Sequence, residues 1–93
     1  MATQQHFESS TEAAILTRLL HPERDDLPEE AATALLRMAF DQSDLDRLHE
    51  LVSKNQDDTL TAAERRELES YLRVSSFLDL MHAKARRSLK RKS

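Results

Sequence analysis

The chain has 93 residues and a formal net charge of −3, with no glycine, no cysteine and only two prolines, Pro22 and Pro28. That length fits one domain at most, with a thin core, because so short a chain buries only about 60–65% of its unfolded surface. Without glycine, antiparallel sheets lose the residues their tight turns depend on; without cysteine there are no disulfides, no thiol catalysis and no cysteine-zinc sites.

Residues 1–9 are polar and are expected to form a flexible N-terminus. They lack the basic start and apolar stretch of a signal peptide, so the expected compartment is the cytoplasm. Ser9, with Glu12 three residues on, fits a capping box. Ala14, Ile15, Leu16, Leu19 and Leu20 then predict a short helix over 10–20. Pro22 disfavours helical geometry at His21 and should end it. The charged stretch up to Leu27 reads as a loop.

Pro28 suits the first turn of a second helix, with Glu29 and Glu30 near its positive end. Ala32, Leu35, Leu36 and Ala39 share a stripe, and Phe40 is expected to close the helix. A third helix is predicted from about Ser43, where Leu45, Leu48, Leu51 and Val52 give 3-and-4 spacing. Residues 55–60 read as a polar connection. Thr61 with Glu64 forms another capping box, and nothing from Ala62 to about Lys90 breaks a helix. At 1.5 Å per residue such a helix spans on the order of 40–45 Å. A compact chain of this size is only roughly 30 Å across, so a projecting end, a second copy or a partner is implied.

The fold class is therefore all-α: three short helices packed on one long C-terminal helix. Residues 10–83 form the helical domain and 84–93 the basic end of the last helix. Leu68, Leu72, Leu78, Ala85 and Leu89 lie near one stripe of that helix, with Val74, Phe77 and Met81 on a neighbouring face. The broad apolar arc of Tyr71, Leu72, Val74, Phe77, Leu78 and Met81 is the candidate protein interface, for a partner or a homodimer. Monomer core is the competing reading of the same arc.

Charge is unevenly placed. Residues 1–79 hold 8 Lys or Arg and all 17 Asp or Glu; residues 80–93 hold 6 cations and no acid. Lys84, Arg86, Arg87, Lys90, Arg91 and Lys92 are the candidate contact to nucleic acid or an acidic partner, because clustered cations neutralise phosphates. Complementing the helix dipole is the alternative role. No aromatic side chain interrupts the run, so base stacking is not indicated.

Catalytic and metal chemistry find no footing. His6, His21, His49 and His82 lack metal-site spacing. Asn55, Asp57 and Thr59 alternate like calcium ligands, but Leu60 and Arg66 stand where a calcium loop needs Gly and Glu. The clusters Asp25, Asp26, Glu29, Glu30 and Asp41, Asp44, Asp46 flank helix starts and read as capping charge. No cofactor, no metal and no enzymatic activity are expected, and no apolar run approaches the roughly 20 residues that span a bilayer.

The stretch over 60–90, LTAAERRELESYLRVSSFLDLMHAKARRSLK, resembles a group of small bacterial helical proteins ending in an LT-x-x-E-x-x-ELE-x-Y-x-RV…AKAR pattern. ALLRMAF over 34–40 and LHEL over 48–51 fit the same group, so the resemblance covers 31–90. Such proteins are associated with genes next to HNH-type nucleases. The resemblance implies a non-enzymatic accessory or antitoxin-like partner of a nuclease.

Overall fold

The computed structural model of the chain describes residues 11–92, and side chains as far as Arg91. Four helices follow in order: α1 (Glu12–Leu20), α2 (Glu29–Leu36), α3 (Gln42–Gln56) and α4 (Ala62–Lys92). No strand occurs among the described residues, and the long C-terminal helix contacts the three short ones. Two compact units divide the chain. A terminal unit joins the described residues up to Met38 to those from Ser76 onwards, and a central unit is Ala39–Ser75.

In the terminal unit, α1 is capped by Thr11, whose Oγ1 accepts the Ala14 N–H at 3.2 Å. The expected Ser9–Glu12 box falls on Ser9, which lies outside the described residues. The helix stops before Pro22 as expected, with His21 in the left-handed region (φ 51°, ψ 65°). The Lys84 ammonium closes this end, donating to the Leu20 carbonyl at 2.6 Å and to the His21 carbonyl at 3.1 Å, which also accepts the Arg24 N–H at 3.0 Å. Helix α2 starts after Pro28, which sits at its N-cap. It ends at Leu36, short of the predicted Phe40. The N–H groups of Arg37 and Met38 turn back to Ala34 and Leu35 at 3.1 Å, a tight i to i+3 pattern that releases the next residues from the helix. Ala32, Ala85 and Ser88 are fully buried here, and Met81 nearly so. Small side chains at such positions let helix backbones approach closely. The Leu27 N–H donates to Ser88 Oγ at 3.2 Å, and the His82 Nε2 N–H to the Met38 carbonyl at 2.9 Å.

In the central unit, Leu51 and Leu68 are the buried core. α3 begins at Gln42, one residue before the expected start, and runs to Gln56, two residues into the expected connection. It ends in a Schellman motif built without glycine. Asp58 takes the left-handed position (φ 59°), its N–H bonds the Asn55 carbonyl, and the Thr59 N–H bonds the Lys54 carbonyl. Aspartate is among the few residues other than glycine that tolerate this conformation. The Thr61–Glu64 capping box forms as expected. Thr61 Oγ1 accepts the Glu64 N–H and Glu64 Oε1 accepts the Thr61 N–H, both at 3.0 Å. Glu64 Oε2 also takes the Lys54 ammonium at 2.6 Å, tying the end of α3 to the start of α4.

Candidate interaction surfaces

The side chains expected to form one arc are divided between the units. Tyr71, Leu72 and Val74 belong to the central unit, and Phe77, Leu78 and Met81 to the terminal unit. Met81 is buried in its own unit, and Phe77 and Leu78 are half-buried there. Leu72 is 51% and Val74 53% exposed. Leu72 follows buried Leu68 by one helical turn and was expected beside it; the buried side of this segment instead carries Glu64, Glu67, Tyr71 and Ser75, all half-buried.

Tyr71 and Val74 line a cleft of about 330 Å³ in the central unit, together with Phe40, Asp44, Glu67 and Ser70. Phe40 reaches it because α2 ends early: its ring packs edge-on against Tyr71, centroids 5.9 Å apart at 68°. The Tyr71 hydroxyl donates to Asp44 Oδ1 at 2.7 Å. That bond to a carboxylate, followed by burial, raises the phenol above its ordinary value of 10.0. Glu67 is saturated differently. Arg47 Nε and Nη2 donate to its two oxygens at 2.8 Å each, and this fork lowers the Glu67 carboxyl below its usual range. Arg47 Nη1 further reaches Glu50 at 3.0 Å. Asp44 makes no ion pair among the described residues.

The basic end does not act as one set. Lys84 is 4% exposed: its ammonium points inward to Leu20 and His21 and sits 3.0 Å from Asp26 Oδ1, so it is a structural staple rather than a surface cation. The bond from Lys84 lowers the Asp26 carboxyl from its usual value. The packed part of α4 thus continues past position 83 to Ser88. Arg91 is exposed but tethered, its Nε donating to the Asp25 carbonyl at 3.1 Å beside the Asp25 carboxylate at 3.4 Å. Arg86, Arg87 and Lys90 are exposed without a hydrogen-bond or ion-pair partner among the described residues.

One surface was not expected from sequence. Helix α1 buries no residue completely, and Ile15, Leu16 and Leu19 stand 40%, 45% and 72% exposed. Positions 15, 16 and 19 share one edge of a helix, so these side chains make a contiguous apolar edge. Their spacing predicts the helix, but no local signal distinguishes a core stripe from an exposed one.

No group of three or more metal-binding side chains occurs among the described residues, and no helix there is long and apolar enough to cross a membrane. No protein-family model, curated protein or solved structure matches the chain.

Proposed function

We propose that the chain is a non-enzymatic protein-interaction module. The observation behind this reading is the apolar edge of α1: Leu19, 72% exposed, flanked by Ile15 and Leu16. In a small domain with little core, leaving Leu19 mostly and Ile15 and Leu16 partly in water forgoes a share of the roughly 1.5–3 kcal/mol that full burial of each side chain supplies. A partner or a second copy recovers it. Leu72 and Val74 add exposed apolar surface in the central unit. The sequence resemblance suggests the partner class, a nuclease to which the chain would be accessory or antitoxin-like, in the cytoplasm.

Site-specific photocrosslinking tests the reading in the native cell. A photoreactive residue at position 19 should give a discrete protein adduct; the same residue in place of exposed Arg65 should not. No adduct at position 19, or equal yields at both positions, overturns the proposal.

A second reading is favoured by the cations Arg86, Arg87 and Lys90, exposed and unpaired among the described residues: contact with nucleic-acid phosphates, with tethered Arg91 beside them. Binding to mixed-sequence DNA or RNA should then fall steeply with salt. Replacing Arg86, Arg87 and Lys90 with Gln should flatten the log–log salt slope by about 2–3. Absence of binding at low salt dismisses this reading.

A further inference from the structure

We propose that the central-unit cleft receives one arginine or lysine side chain from a basic segment of a protein partner. The inference rests on the reading of the chain as an interaction module and names the chemistry of one contact. Its occupant follows from the walls. Phe40 and Tyr71 supply aromatic surface and Val74 an aliphatic side, while the Ser70 hydroxyl is already engaged, donating to the Arg66 carbonyl and accepting from Arg73. A cavity of about 330 Å³ is small, enough for one long side chain rather than a packed helix.

The two carboxylates in the wall are not equivalent. Glu67 has both oxygens taken by the Arg47 fork, so its charge is already compensated. Asp44 accepts only the Tyr71 hydroxyl, on Oδ1, and has no cation of its own among the described residues. Tyr71 thereby holds one oxygen of Asp44 beside the aromatic pair and leaves the other free to accept. An anionic ligand would meet an uncompensated carboxylate. A purely apolar one would cover the second Asp44 oxygen without giving it a partner, which is costly. A cation on an aliphatic stem satisfies every wall: its charge lies over a ring face within about 6 Å of the centroid, its N–H groups reach Asp44, and its stem covers Val74. Arginine fits better than lysine, since a planar guanidinium can stack and donate at once. The unit around the cleft is acidic as well. Ala39–Ser75 carries nine Asp or Glu against five Lys or Arg, which favours approach of a basic segment.

Tyr71 makes the test direct. It is the only tyrosine of a chain without tryptophan, so intrinsic emission reports on the cleft. The full chain is titrated into the millimolar range with a short arginine-bearing peptide. Two controls have the same length, one with citrulline in place of arginine and one with glutamate. The arginine peptide should change Tyr71 emission saturably, and the controls should not. Asp44→Asn keeps an acceptor for the Tyr71 hydroxyl and should weaken the arginine peptide at least tenfold. Glu69→Gln removes the same charge from an exposed position of the same unit and should change affinity less than twofold, with circular dichroism confirming that both variants fold. No saturable signal, equal binding of the citrulline peptide, or equal losses in the two variants would overturn the proposal. Self-association of the parent that Asp44→Asn abolishes would put a second copy's basic end in the cleft and overturn the heterologous partner. The photocrosslink at position 19 lies in the other unit, so it can succeed while the cleft fails.

Discussion

Lys84 Nζ lies 2.6 Å from the carbonyl oxygen of Leu20, so a cation near the end of the chain closes the end of its first helix. Sequence places Lys84 in a basic run; the fold makes it the most buried charge of the terminal unit. Removing it leaves the Leu20 and His21 carbonyls without that donor and Asp26 without its ion pair. Lys84→Gln should therefore cost about 1–3 kcal/mol. Arg86→Gln, Arg87→Gln and Lys90→Gln, all exposed, should each stay within about 0.5 kcal/mol. Urea unfolding of the four variants checks this; a Lys84 variant as stable as the other three would show that the staple contributes nothing.

The contrast between Lys84 and Thr61 shows what sequence could reveal. Thr61 and Glu64 are three residues apart, so helix geometry alone dictates their reciprocal bonds, and residue types suffice to predict them. Lys84 meets Leu20 across 64 positions and Ser88 meets Leu27 across 61. No periodicity encodes such pairs. The early end of α2 was equally hidden. Ala34 to Phe40 contains neither Gly nor Pro, and the stop comes from a tight turn at Arg37 and Met38 that frees Phe40 to reach Tyr71. Half of the cleft's aromatic pair thus depends on a helix boundary that propensity does not mark. The all-α class was legible because it rests on composition and local caps.

Acid should weaken the α3–α4 junction. Glu64 is held at about 2, against an ordinary 4.5, first by the Lys54 ammonium and then by the Thr61 N–H. Glu67 is lowered by Arg47, and Asp26 by Lys84. Each value is depressed on folding, so the stabilisation is complete above the unfolded value and fades as pH falls towards the folded one. The melting temperature should hold at mildly acidic pH and drop between about pH 4.5 and about pH 2. The drop should be modest, because these groups remain partly in water and salt screens them. Glu64→Gln should shrink it, and an identical acid profile for parent and variant would contradict the assignment.

Alkali should act through Tyr71. Its phenol is raised above 10.0, chiefly by the bond to Asp44. A raised value means stability that is present below the unfolded pKa and lost as pH climbs through the folded one. With one tyrosine in the chain, phenolate absorbance gives a single titration curve. Its midpoint should lie above 10 in the parent and move down towards 10 in Asp44→Asn. A midpoint unmoved by that substitution would separate Asp44 from the phenol.

Truncations along α4 should sort core from interface within the arc 71–81. Met81 is 9% exposed, so Met81→Ala removes buried atoms and leaves a cavity, at a cost of about 2–5 kcal/mol. Leu72 and Val74 are half in water, so Leu72→Gln and Val74→Thr should each cost under about 1 kcal/mol in the isolated chain. The ranking follows from burial in the single chain. It should change if a second copy covers Leu72 and Val74, because their replacement would then lower stability more at high protein concentration than at low. Thermal melts of the three variants over a hundredfold concentration range separate these cases. A concentration-independent ranking with Met81→Ala lowest assigns Met81 to the core of the terminal unit and leaves Leu72 and Val74 free for a different protein. A concentration-dependent loss confined to Leu72→Gln and Val74→Thr would instead place a second copy of the chain on that part of α4.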